Sequence, residues 1–274
     1  MDMKAGDGSH AAFNDDEKVY QIRQLALAKN DSQAALEAIE LCLMLLTNVS
    51  VSEEGQKHVL GEGQRTRGII MENLFGMFCY FLKSGVFDFI SNILANATAL
   101  KEGRDIVMEY DMLPKIVDML RWNKVSIHRR KHLIEAVRNI AFGYENLEAK
   151  FVELNLVREL GYILSFEEGI TGDLPEAVAG FKAVKKPLEV SKINVKNIID
   201  TFILLSNSEP LMKAIADLQI DLLIEQVDVS NHEELDTNVT VLKTQIEQSR
   251  LPKVEEPAEE EEEANQEAAA EEQT

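Results

Sequence analysis

Residues 94–142 read LANATALKEGRDIVMEYDMLPKIVDMLRWNKVSIHRRKHLIEAVRNIAF. Leu94-Ala95-Asn96 closes one apolar run, and Gly103 is then expected to break the chain before RDIVMEY turns once or twice as a helix. Asp111 is placed to cap a second helix over 113–120, where Pro114 sits in the first turn and its missing N–H costs nothing. After a polar turn with Asn123 and Ser126, IHRRKHLIEAVRNIAF gives a longer helix that ends on Val137-Arg138-Asn139. Reading outward, Leu46-Thr47-Asn48 repeats the triplet. The Asn anchors at 48, 96 and 139 lie 48 and 43 residues apart. Gly55, Gly103 and Asn146 each follow an anchor by seven residues, and both residue types tolerate a left-handed backbone. That period belongs to two- or three-helix solenoid repeats, which present a long curved face rather than a deep cleft.

The rest of the chain follows the rhythm. Helices are expected over 32–48, 68–82 and 86–96, with a short piece at 55–60, and the third unit repeats the pattern with EAKFVEL and VRELGYIL. Residues 165–191 interrupt it with Gly169, Gly172, Pro175, Gly180 and Pro187. The next helix ends at Asn207, 68 residues after Asn139, which implies an insertion of about 25 residues emerging as a surface loop. Final helices are expected over 210–226 and 233–249. The fold class is therefore all-α, an armadillo/HEAT-like right-handed superhelical solenoid over 32–251. It lies between a flexible segment 1–31 and a disordered Glu-rich tail 252–274. Within the first segment, Asn14 and Glu17 resemble a capping box for a short helix containing Val19, Ile22 and Leu25.

Composition narrows the function. The net charge is −20, and residues 254–274 hold ten Glu without Lys or Arg. An acidic body lacks the field that drives binding to a phosphate backbone, so no nucleic-acid partner is expected. No stretch has membrane-spanning length without charge and the first residues lack a signal peptide, so no membrane partner and a cytoplasmic location are expected. Cys42 and Cys79 stand in apolar runs and read as buried packing residues. His58, His128 and His132 lack a ligand motif and read as surface or groove residues. Met71, Phe75, Met77, Phe78, Phe81 and Leu82 are spaced as core. With no nucleophile elbow, P-loop, dinucleotide fingerprint or zinc spacing, the expectation is a non-enzyme with no cofactor and no metal.

Several strings carry a family likeness: LCLMLLTNVSVSEEG at 41–55, FISNILANATALKEGRDIVMEYDMLPKIVDML at 89–120 and SIHRRKHLIEAVRNIAFGYE at 126–145. Residues 174–205, LPEAVAGFKAVKKPLEVSKINVKNIIDTFILL, add a Leu-Pro loop followed by a Lys and a Pro before the next helix. Together, over about residues 35–249, the chain resembles the armadillo-type cochaperones that assist folding of elongation factor 2. The resemblance implies an adaptor that brings newly made elongation factor 2 to the cytosolic chaperonin TRiC/CCT, with the ninety-kilodalton heat-shock chaperone also implicated. That family carries further repeats ahead of the first unit, where this chain has about 30 residues.

Partner-binding candidates follow. Asn48, Asn96 and Asn139 recur at helix ends and could bond a ligand's extended backbone, or else satisfy a nearby helix terminus. Arg129, Arg130, Lys131 and Arg138 form the strongest basic cluster, suited to carboxylates or to local pairing. Leu174 and Pro175 mark the insertion. The alternative function is a general armadillo scaffold or transport-type receptor that binds extended peptides.

Overall fold

The structure is a computed structural model that describes residues 32–120, 125–143, 147–164, 191–225 and 227–251. The expected N-terminal helix, Asn146, most of the insertion with Leu174 and Pro175, and the Glu-rich tail lie outside the described residues. Within them the chain is helical throughout, with no strand. The helices are α1 (Ser32–Val49), α2 (Glu53–Leu60), α3 (Ile69–Tyr80), α4 (Phe89–Thr98, entered through a 3-10 turn at Gly85–Asp88), α5 (Lys101–Glu109), α6 (Leu113–Leu120) and α7 (Ile127–Phe142). They continue as α8 (Glu148–Glu153), α9 (Leu156–Leu164), α10 (Lys192–Leu205), α11 (Glu209–Asp217), α12 (Ile220–Ile224) and α13 (Glu233–Ser249).

Local chemistry sets several of these boundaries. The Ser52 hydroxyl accepts from the Gly55 N–H and opens α2, while Gly61 at φ 67° closes it with a left-handed cap. Ser126 does the same for α7 by accepting from the Arg129 N–H. Gln219 at φ 52° divides the single helix expected over 210–226 into α11 and α12. Asp111 takes φ 48°, so it turns the chain between α5 and α6.

The helices recur in sets of three, and equivalent helices pack against one another. The row α1, α4, α7, α10, α13 is continuous, each helix packing on the next. First helices pair as α2 with α5 and α8 with α11, and second helices as α6 with α9 and α9 with α12. One apolar core runs from Leu43 to Ile246. Its members include Phe78, Ile93, Leu133, Ile140, Leu160, Phe202 and Leu242, all fully or almost fully buried. Burying a side chain of this size stabilises by about 1.5–3 kcal/mol. Met71, Phe75 and Phe78 belong to this core, with Met77, Phe81 and Leu82 packed against it.

Two glycines have a role other than the one their spacing suggested. Gly55 and Gly103 do not break the chain in a left-handed conformation; they lie inside α2 and α5. A Cβ on Gly55 would stand 1.8 Å from the Val49 carbonyl oxygen, and one on Gly103 2.0 Å from that of Ala97. The glycine lets the first helix of one set press against the end of the preceding row helix. Arg104 completes this second seam by donating to the carbonyls of Thr98 (3.0 Å) and Ala99 (2.9 Å), which end α4.

Candidate binding face

The row of long helices carries most of the predicted site residues. Asn96 on α4 donates from Nδ2 to Ser50 Oγ (2.9 Å) just beyond α1. Asn139 on α7 donates to the Ala95 carbonyl (3.0 Å) near the end of α4 and lies 3.4 Å from Thr98 Oγ1. Each amide thus stitches its helix to the C-terminal end of the helix before it. Asn48 is exposed, and Asn207, in the turn just past α10, donates back to the Leu204 carbonyl (3.3 Å).

Farther along the row, Asp200 on α10 takes over the joining role. It accepts from Arg138 Nε on α7 (3.0 Å), from Lys196 within its own helix (3.0 Å) and from Asn238 on α13 (2.5 Å). Ser206 adds a bond to Gln245 Oε1 (3.0 Å). Arg138 keeps 40% of its side chain exposed beyond that ion pair. One turn on, Phe142 leaves 74% of its surface to solvent. With Lys131 and Glu135 they form a stripe at i, i+4, i+7 and i+11 along α7. The sequence reading did not single out Phe142; the available signal was its spacing, which puts it on the face of Lys131, Glu135 and Arg138.

The basic cluster divides. Arg129 is not offered to a partner: its side chain is 0% exposed. Its Nε pairs with Asp88, and its two terminal nitrogens donate to the carbonyls of Phe78 (3.1 Å), Phe81 (2.8 Å) and Ser84 (3.0 Å). The guanidinium also lies 4.6 Å from the Phe78 ring centroid. Asp88 in turn accepts from Ser126 Oγ (2.8 Å). One buried ion pair therefore fixes the connection between α3 and α4 to the start of α7. Arg130 is buried as well and donates to the Leu120 carbonyl (2.9 Å). Both arginines are corrected from surface groups to internal ties, and Lys131 and Arg138 remain on the surface.

His132, expected as a surface or groove residue, is buried with Nδ1 2.9 Å from the His128 carbonyl oxygen. Burial pulls its pKa down to about 4, so the ring is neutral at physiological pH. Cys42, expected in the core, is exposed on α1. Cys79 is half-buried, and burial raises its thiol pKa to about 11.

A depression of about 470 Å³ near α12 is lined by Asp217, Gln219, Asp221 and Arg250, but Arg250 and Asp221 already close on each other at 2.7 and 2.9 Å. Among the described residues, no three His, Cys, Asp or Glu side chains gather to hold a metal ion. No helix among them is long and apolar enough to cross a membrane.

Fold and face together define an all-helical protein whose long helices form a continuous row cross-linked by polar side chains. The chain belongs to the family described as a domain of unknown function, DUF383, whose model matches residues 31–167. No curated protein matches it. A solved structure described as an engineered protein is similar over 85% of this chain and 97% of its own, with 15% identity and a TM-score of 0.49. At that level of likeness nothing about fold or function follows from it.

Proposed function

We propose that the helix triplets form an armadillo-like right-handed superhelix and that the chain is a non-enzymatic cytoplasmic adaptor cochaperone. It holds newly made elongation factor 2 on its long-helix row and presents it to the chaperonin TRiC/CCT, with the ninety-kilodalton heat-shock chaperone as a further partner. The resemblance of residues 41–55, 89–120, 126–145 and 174–205 to that cochaperone family carries this reading. The α7 stripe supports it: Phe142 supplies an apolar anchor beside Lys131 and Arg138, a mixture suited to a partly folded client. A stacked array offers this surface preformed, so little ordering entropy opposes binding.

An Asn-lined receptor for extended peptides is less favoured. Asn96 and Asn139 each commit an amide donor to the neighbouring helix rather than to a ligand. The test is affinity capture of the tagged chain from its native cytosol with mass spectrometry. Elongation factor 2 together with chaperonin subunits is the expected result, lost on Phe142→Ser with Arg138→Ser. Recovery of import cargoes or signalling proteins without elongation factor 2 refutes the assignment.

A further inference from the structure

Lys131, Glu135, Arg138 and Phe142 occupy successive turns of α7. Spaced by four, three and four residues, they fall within about 60° of arc on a helix with 3.6 residues per turn. Along the axis the intervals are about 6, 4.5 and 6 Å. The stripe thus reads cation, anion, cation, aromatic over about 16.5 Å. Lys131 and Glu135 are half-buried and form no ion pair among the described residues. Arg138 commits its Nε to Asp200 and keeps 40% of its side chain exposed. A guanidinium carries four further N–H donors on its two terminal nitrogens. Phe142, 74% exposed, closes the stripe.

We propose, on the reading of the α7 stripe as the binding face and independently of the client's identity, that this stripe docks a helix of the partner. The partner helix lies antiparallel to α7, and its own stripe reads apolar, acidic, basic, acidic at positions i, i+4, i+7 and i+11. Spacing selects a helix. Four, three, four reads the same in both directions, so a partner helix keeps step with all four positions. Side chains on one face of an extended strand recur about every 6.6 Å, so the fourth contact falls at about 20 Å against about 16.5 Å. Charge selects the pattern. An apolar residue meets Phe142, carboxylates meet the Arg138 guanidinium and the Lys131 ammonium, and a cation meets Glu135. Like charges on any of these three turns reject helices of another order. The antiparallel arrangement also sets the two helix dipoles head to tail. A second copy of α7 laid the same way matches Glu135 with Arg138 at the two inner positions. At both ends it puts Lys131 opposite Phe142, where the proposed helix offers a carboxylate and an apolar side chain.

The probe is a fluorescein-labelled helical peptide, rich in alanine and glutamine, with leucine, glutamate, lysine and glutamate in that order at spacings of four, three and four. Fluorescence anisotropy with the full chain is expected to show it bound at least tenfold more tightly than a peptide with every charge reversed. The same margin is expected over a peptide interrupted by two central prolines. Phe142→Ser is expected to weaken the parent peptide at least fivefold. The decisive reading is an exchange of preference. Lys131→Glu with Glu135→Lys leaves the net charge unchanged, and circular dichroism is expected to match that of the parent chain. This chain is expected to prefer, at least fivefold, a peptide that carries leucine, glutamate, glutamate and lysine at the same spacings. Equal or unmeasurable binding of the parent and charge-reversed peptides overturns the proposal. So does undiminished binding of the proline-interrupted peptide, or a doubly substituted chain that keeps the original preference. Dimerisation in sedimentation that Phe142→Ser abolishes assigns the stripe to a second copy and overturns it as well. Cytosolic capture reads separately: peptide preference without the proposed client refutes the client and leaves the docking helix standing, and the client without peptide preference does the reverse.

Discussion

The two halves of α7 handle cationic side chains in opposite ways. At its start, Arg129 and Arg130 are pulled inside and give their donors to carbonyls of helix ends and turns and to Asp88. At its end, Arg138 reaches Asp200 across the row and stays partly in water, with Phe142 exposed one turn later. The sequence writes both as basic residues on one helix. What separates them is what faces each: at the start, carbonyls of a helix end and the irregular turn after it, which keep a lone pair for a second donor, together with the Asp88 carboxylate; at the end, the Asp200 carboxylate on a neighbouring regular helix. A buried guanidinium is a structural tie, and a half-exposed one is available to a partner.

The sharpest way to break this contrast is to remove each arginine in turn. Arg129→Met leaves Asp88 without its cation and takes one donor from each of the Phe78, Phe81 and Ser84 carbonyls, and is expected to cost about 3–5 kcal/mol in urea denaturation. The same change at Arg138 is expected to cost less than about 1 kcal/mol. Equal losses would mean that α7 is not divided as described.

Next in size is the seam beside α7. Gly103→Ala forces a Cβ against the fixed Ala97 carbonyl and is expected to destabilise by about 1–3 kcal/mol. Gly76→Ala, with open space around it inside α3, is expected to stabilise by about 0.5–1 kcal/mol. Calorimetry on the pair separates close approach from helix propensity.

Asn139→Ala is expected to cost about 1 kcal/mol of stability while client capture at saturating chain concentration is retained. Capture lost with stability intact would return Asn139 to the binding face.

The smallest effect at neutral pH belongs to His132, between the two halves. Its folded pKa of about 4 lies below the ordinary 6.5, so the unfolded chain binds the extra proton first. Stability from the neutral ring is complete above pH 6.5 and falls as pH drops from 6.5 toward 4. His132→Gln is expected to flatten that slope without changing stability at pH 7.5, as read by thermal melts across the range.

Helix positions were legible because apolar spacing and caps act locally: 113–120 and 127–142 appear as the sequence indicates. The Asn anchors were legible as recurring positions, but both of their roles fit the pattern equally well. Which glycine frees the backbone and which makes room for a neighbour was not legible, because the space at Gly103 is set by Ala97 on another helix. The same holds for Arg129, whose carbonyl partners lie 45 or more residues away.

The connection between α9 and α10 takes in residues 165–190, far more chain than joins any other successive pair of helices described, yet α10 packs on α7 as α7 packs on α4. The alignment of one layer on the next is thus carried by matched helix faces and their polar stitches, independent of how the chain travels between them. Such a body is modular in the mason's sense. Courses stay level whatever the length of cord that links the bricks, and new sequence can enter through the connections without tilting the wall.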